Sequence, residues 1–143
     1  MGERLTIPIQ VRWGDLDAQA HVNNVTMLKL LEEARVRALW DGDAWTGEGI
    51  VTLIARQEVE YLRPMPYTSD PVRIEMWVSR LGGSSIELAY EILPPAGQGQ
   101  EPYAKATGVI VFADAESGRP TRLDAATRAK WEPYLGEPVV FRR

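Results

Sequence analysis

The chain contains no cysteine and a single histidine. Without cysteine there is no disulfide, no thiolate metal site and no cysteine nucleophile, and nothing calls for an oxidising compartment; the expected location is the cytoplasm. One histidine without thiolates does not complete a typical transition-metal ligand set, so no metal is expected. No segment approaches the roughly 20 apolar residues of a membrane span, and Met1–Pro8 lacks the apolar core of a signal peptide. A soluble protein with no membrane partner is expected. Positive charge is also short: 16 Lys and Arg against 20 Asp and Glu leave a formal charge of -4, which argues against a nucleic-acid surface. There is no internal repeat, low-complexity tract or linker, so residues 1–143 read as one domain.

What is present is a change of hydrophobic period. Leu5, Ile7, Ile9, Val11 and Trp13 alternate with Thr6, Pro8, Gln10 and Arg12, the mark of a half-buried strand, with Pro8 pointing to a sheet edge. From Val25 to about Trp40, Met27, Leu31, Ala34 and Ala38 fall on one helical stripe, widened by Leu28, Leu30 and Leu39, while Glu32, Glu33, Arg35 and Arg37 group on a charged face. After the turn-rich Asp41–Gly49 the period returns to two at Val51–Tyr61, Val72–Val78, Ile86–Ile92 and Tyr103–Ala113. Gly82-Gly83 reads as a tight hairpin and Pro94–Gln100 as a looser one. Asp124 reads as the cap of a short helix ending near Pro133.

The predicted order is strand, long helix, then four antiparallel strands, an α+β arrangement. One helix covers only one sheet face, and the small Ala104, Ala106 and Gly108 alternate with larger residues in the last strand. A second copy of the chain is the expected cover, giving a homodimer or homotetramer.

The densest polar cluster, Trp13-Gly14-Asp15-Leu16-Asp17-Ala18-Gln19-Ala20-His21-Val22-Asn23-Asn24, stands between the first strand and the helix. Carboxylate, imidazole and amide groups at a helix mouth suit acyl-transfer chemistry, which needs an attacking oxygen or a base together with donors for a developing oxyanion. The loop carries carboxylates, Asp15 and Asp17, and backbone N–H groups at the start of the Val25 helix are candidate donors. Asp15 reads as a turn residue bonded to its own loop. Asn23 or Asn24 reads first as the helix N-cap and second as a donor to a carbonyl.

Arg12-Trp13-Gly14-Asp15-Leu16-Asp17, His21-Val22-Asn23-Asn24-Val25 and Leu30-Leu31-Glu32-Glu33-Ala34-Arg35 together resemble the 4-hydroxybenzoyl-CoA thioesterase branch of the hotdog-fold acyl-CoA thioesterases. Glu60-Tyr61-Leu62-Arg63-Pro64 and Asp70-Pro71-Val72-Arg73-Ile74 extend the likeness across roughly the first 115 residues. Gln19 departs from it where relatives carry Asn or Gly, as does Met27 where many carry Tyr.

The resemblance implies a hotdog fold, an antiparallel sheet wrapped around one long central helix. It implies hydrolysis of an acyl-CoA thioester, with Asp17 as nucleophile or general base and no cofactor, CoA being part of the substrate. His21 becomes a candidate to touch the thioester or orient Asp17, and Gln19 and Asn24 become candidate side-chain donors. Asn23, Val25 and Met27 are expected to line the substrate. Arg80 with Ser84 and Ser85 is the candidate CoA-phosphate cluster, with Arg56 and Arg63 as alternates. Met27, Trp40, Trp45, Tyr61 and Trp77 are candidates to shape the acyl pocket, in a site at a subunit interface. Glu32, Glu33, Glu58 and Glu60 are rival carboxylates. Two other readings stay open: an enoyl-thioester hydratase or dehydratase of the same fold, and a non-catalytic module that binds acyl thioesters.

Overall fold

The computed structural model describes residues 2–39 and 49–142. Five strands form one antiparallel sheet: β1 (Leu5–Ile9), β2 (Ile50–Tyr61), β3 (Val72–Leu81), β4 (Ser85–Leu93) and β5 (Ala104–Asp114), in the order β1-β3-β4-β5-β2. A long helix α1 (Asn24–Leu39) lies between β1 and β2 in sequence, and a short helix α2 (Ala125–Trp131) follows β5. None of these helices is long and apolar enough to cross a membrane.

The inner strands follow the period-two pattern closely. Val72, Ile74, Met76 and Val78 of β3, and Ile86, Leu88, Tyr90 and Ile92 of β4, are all buried on one sheet face. They share a core cluster with Met27, Leu30, Leu31, Ala34 and Leu39 of α1. Gly108 of β5 leaves room for the Tyr90 ring, which lies 3.6 Å from where a β-carbon would stand. The Gly82-Gly83 hairpin joins β3 to β4 through Gly82 N–H donating to Ser85 O at 2.8 Å, and Asp124 caps α2 by accepting Thr127 N–H at 2.7 Å.

Three expectations change. The first strand ends at Ile9, and Trp13 is 78% exposed rather than turned inward. The reason is the loss of a partner: Ile9 pairs with Val72, the first residue of β3, and Pro71 before it has no N–H to extend the ladder. Asp15 then bends the chain into a 3-10 turn, Trp13–Asp15.

In β2 the expected inward residues Val51 and Leu53 are exposed. β2 is an edge strand paired only with β5, and a bulge between Ile54 and Arg56 shifts its register. In α1, Arg35 is buried, away from the solvated charged face to which its neighbours Glu32, Glu33 and Arg37 belong.

The outer sheet face is partly covered by the chain itself. Trp77 Nε1 donates to Glu137 O at 2.8 Å, Gly136 N–H to Val78 O at 2.8 Å, and Arg142 N–H to Glu60 Oε2 at 2.9 Å. Arg4 stacks on Trp77 at 3.8 Å and bonds Glu75 and Glu91. Trp77 thus belongs to this outer covering. Trp40 and Trp45, also singled out as pocket aromatics, lie outside the described residues, as does most of Asp41–Gly49.

Candidate active site

The polar cluster folds back on itself as a miniature hairpin. Asp17 N–H donates to His21 O at 2.8 Å, Asn23 N–H donates to Asp15 O at 2.9 Å, and Leu16 bridges Val22. Asp17 therefore stands opposite His21, two residues before the start of the helix entry at Asn23. Val22 N–H donates to Met65 O at 2.8 Å and ties the hairpin to the segment after β2. The turn closes through Ala20, whose φ of 62° lies in the left-handed region, a costly conformation for a residue with a β-carbon.

The two aspartates take different parts. Asp15 is 3% exposed; its Oδ2 accepts Arg12 N–H at 2.8 Å and its Oδ1 accepts Arg12 Nη2 at 2.9 Å. A carboxylate buried and bonded in this way is a structural clamp, as the turn position led us to expect. Asp17 is exposed. Its Oδ1 accepts the Gln19 N–H at 2.8 Å and, more weakly, the His21 N–H at 3.4 Å, so the side chain is oriented by backbone amides.

His21 and Gln19 meet Asp17 through the backbone in these bonds. His21 is half-buried and Gln19 exposed.

At the helix entry, Asn23 Oδ1 accepts Val25 N–H at 2.8 Å, and Asn23 O accepts Met27 N–H at 3.0 Å. Asn23 is therefore the N-cap, and Val25 N–H, expected to face the substrate, is occupied by that cap. Among the described residues the first-turn amides without a capping partner are those of Asn24 and Thr26. Tyr61 of β2 donates its hydroxyl to Asn24 O at 3.1 Å and so fixes the end of β2 on the first turn of α1. Burial raises the Tyr61 pKa above the ordinary tyrosine value, so the hydroxyl stays a donor. Met27 is buried in the core.

The candidate phosphate ligands are dispersed. Arg80, Glu87, Val109 and Arg56 form one cross-strand row, which sets the two arginines about 14 Å apart across three strand spacings. Arg63 stacks on Tyr103 at 4.1 Å and donates to Glu101 O. The Gly82-Gly83 turn near Ser84 and Ser85 instead receives Arg128, which donates to Gly82 O at 2.7 Å, and Arg122, 3.5 Å from the β-carbon position of Gly83. Sequence reading missed these two arginines, because nothing local shows that the chain after β5 returns to this hairpin.

A cavity of about 430 Å³ opens between β1 and α1, lined among others by Arg12, Asp15, Thr26, Lys29 and Arg37. None of Arg56, Arg63, Arg80, Ser84 or Ser85 lines it.

Of the rival carboxylates, Glu32 pairs with Lys29 at 3.5 Å, Glu33 with Arg37 at 3.8 Å and Glu60 with Lys105 at 3.3 Å. Glu58 lies in β2 opposite Thr107. Among the described residues no group of three or more His, Asp or Glu side chains is placed to hold a metal ion.

A hotdog-type sheet with a long helix, and a carboxylate hairpin at the helix entry, define a class that comparison with known proteins resolves. The profile of the thioesterase-like superfamily matches residues 11–131, and the chain belongs to that family, one of thioester hydrolases. More particularly, it is 33% identical over 131 residues to the long-chain acyl-CoA thioesterase FadM of Escherichia coli, covering 89% of this chain and 96% of that one. Among solved structures, a thioesterase from Thermus thermophilus complexed with coenzyme A and zinc is 34% identical with a TM-score of 0.73, covering 93% and 95% of the two chains. The PA2801 protein of Pseudomonas aeruginosa is 30% identical with a TM-score of 0.77, covering 87% and 95%.

Proposed function

We propose that this protein hydrolyses acyl-CoA thioesters to the free acid and CoA, with Asp17 as nucleophile or general base. The observation that carries the proposal is the hairpin that holds an exposed carboxylate opposite His21, immediately before the N-terminus of α1. Relatives named for acyl-CoA hydrolysis and for bound coenzyme A support CoA thioesters as the substrate class.

Two routes fit the carboxylate. As nucleophile, an Asp17 oxygen attacks the thioester carbonyl carbon, the C–S bond breaks with loss of CoA thiolate, and water then cleaves the mixed anhydride. As general base, Asp17 takes a proton from the water that attacks the carbonyl, and the thiolate leaves and is protonated. In either route charge builds on the carbonyl oxygen. The Asn24 and Thr26 amides, at the positive end of the α1 dipole, are the donors we assign to it. His21, Gln19 and the Asn24 side chain are the further groups we assign to contact with the thioester.

Assembly belongs to the same proposal. The free edge of β2 presents Val51, Leu53 and Ile54, with Leu53 53% exposed. Edge strands carrying apolar residues are templates for pairing. A second copy joined along this edge lengthens the sheet, covers these residues and closes the space beside Tyr61 and the first turn of α1. In this arrangement α1 is the central helix of the assembly, the site lies between subunits, and the reaction takes place in the cytoplasm.

The test is free-thiol release from a panel of aliphatic and aromatic CoA thioesters. Thiol release well above background supports the hydrolase. A change in enoyl absorbance without thiol release points to hydration, and binding without turnover points to a thioester-binding module.

A further inference from the structure

The sheet reaches the first turn of α1 through Tyr61, whose hydroxyl donates to Asn24 O at 3.1 Å. Tyr61 ends a cross-strand row on the inner face that continues through Ala104, Ile92 and Ile74, all three fully buried. Its own position is less secure. It is the last residue of β2, an edge strand held by β5, and frayed ends of this kind are among the first places where a fold opens.

The neighbouring row lies on the outer face, since successive residues of a strand point to opposite sides. It runs through Glu60, Lys105, Glu91 and Glu75. Lys105 pairs with Glu60 at 3.3 Å, and Arg4 bonds Glu75 and Glu91 at 2.9 and 2.8 Å. The C-terminal segment Gly136–Arg142 crosses the sheet beside this row. It bonds β3 through Gly136 N–H, which donates to Val78 O, and Glu137 O, which accepts from Trp77 Nε1. Over β5, Val140 O accepts from Lys105 Nζ. At β2, Arg142 N–H donates to Glu60 Oε2 at 2.9 Å.

The segment is fitted closely at both ends. A β-carbon on Gly136 would stand 2.8 Å from the Trp77 ring, so that approach requires glycine. Arg142 lines a cavity of about 440 Å³ together with Tyr61. Glu60 and Tyr61 are consecutive, so a clamp on the Glu60 side chain from outside fixes the backbone from which Tyr61 reaches inward to α1.

We propose that Gly136–Arg142 and Tyr61 form one brace through the sheet. The outer clamp on Glu60 steadies the end of β2, and the Tyr61 hydroxyl then holds the first turn of α1 so that the Asn24 and Thr26 amides meet the thioester oxyanion. Tyr61 is a positioning residue, acting through the turn and touching no reacting atom. The proposal rests on the reading of those two amides as the oxyanion donors.

The experiment measures thiol release from a reactive acyl-CoA by the wild type, Tyr61→Phe, Glu60→Ala, Glu60→Gln, Gly136→Val and Val140→Ala, with Tm and sedimentation velocity for each. Amide hydrogen exchange at Val25 and Met27, whose protecting bonds lie in the first turn, is followed by NMR, since it needs no turnover. Tyr61→Phe is expected to lower kcat by about tenfold or more, short of the roughly 10²-fold of a fully misplaced group, with KM little changed. The Val25 and Met27 amides should exchange faster. Glu60→Ala and Gly136→Val, the latter on the far side of the sheet, should change kcat and exchange in the same direction. Glu60→Gln keeps an oxygen for Arg142 N–H and should recover most of the activity, which a carboxylate taking part in the chemistry would not allow. Val140 is 78% exposed and contributes its carbonyl, so Val140→Ala should behave as the wild type.

Wild-type kcat and exchange in Tyr61→Phe would overturn the proposal. So would a raised KM at unchanged kcat, which makes Tyr61 a wall of the substrate pocket, or a loss of activity that follows a loss of assembly. Glu60→Ala and Gly136→Val that melt lower yet keep wild-type kcat and exchange would overturn the part of the strap; if Gly136→Val does not fold, Glu60→Ala decides it. Faster exchange in Tyr61→Phe, in a protein whose wild type cleaves no thioester, would uphold the brace and reject the hydrolase.

Discussion

Asp17 Oδ1 accepts the backbone N–H of Gln19 at 2.8 Å, so one oxygen fixes the carboxylate on its own turn while Oδ2 takes part in neither of the turn bonds. A side chain held by one oxygen presents the other in a set direction. The roles of its neighbours follow from the same hairpin.

Asn23→Ala removes the acceptor for Val25 N–H and is expected to cost about 1 kcal/mol, the usual value of an N-cap. Differential scanning calorimetry should show Tm lower by about 2 to 4 °C. Asn23→Asp keeps the acceptor and should melt close to the wild type.

Ala20 holds φ at 62°, where an alanine costs about 1 to 2 kcal/mol and glycine costs less, even after its greater chain entropy. Ala20→Gly is expected to stabilise the fold by about 0.5 to 1 kcal/mol. The check is a chemical denaturation midpoint, which should rise with an unchanged slope.

Asp124 accepts Thr127 N–H at 2.7 Å. This bond, above all others, holds its carboxyl below the ordinary 3.8. A depressed carboxyl pKa contributes stability above the unfolded value, and the contribution is lost as pH falls through the folded one. Asp124→Ala is therefore expected to lower Tm at pH 7, with the gap to the wild type closing below about pH 4. A gap that stays constant through the acid range would refute the cap.

Leu53→Lys places a charge on the open β2 edge without disturbing the core, since Leu53 is exposed. If β2 joins two copies, sedimentation velocity at micromolar concentration should show an assembled wild type and a monomeric variant with little thioesterase activity. A fully active wild-type monomer would contradict an interface site.

The fold was legible where one physical signal dominated. The alternation of Val72, Ile74, Met76 and Val78, all fully buried, could belong only to a strand with one face on a core. The Asp124 cap and the Gly82-Gly83 turn followed from local chemistry in the same way.

Legibility failed where distant partners decide. Trp13 keeps the alternating pattern yet faces solvent, because β3 begins too late to pair with it. Arg35 resembles its charged neighbours in sequence, but helix rotation and the strands beyond it put it in the core. The tail over Trp77 carries no periodic signal, since its hydrogen bonds are made by backbone groups, the N–H of Gly136 and Arg142 and the carbonyls of Glu137 and Val140.

In the site, the resemblance singled out Asp17. The structure separated its part from that of Asp15 and moved the free helix amides from Val25 to Asn24 and Thr26.

The most direct measurement is thiol release by Asp17→Asn and Asp17→Ala beside the wild type on a reactive acyl-CoA. Asn keeps an oxygen to accept the Gln19 amide, so Asp17→Asn tests the chemistry with the turn preserved. Both variants are expected to lose about 10²- to 10⁴-fold in kcat, with Asp17→Asn melting like the wild type. Wild-type kcat in either variant would contradict the assignment of Asp17 as the group that attacks the thioester or activates water.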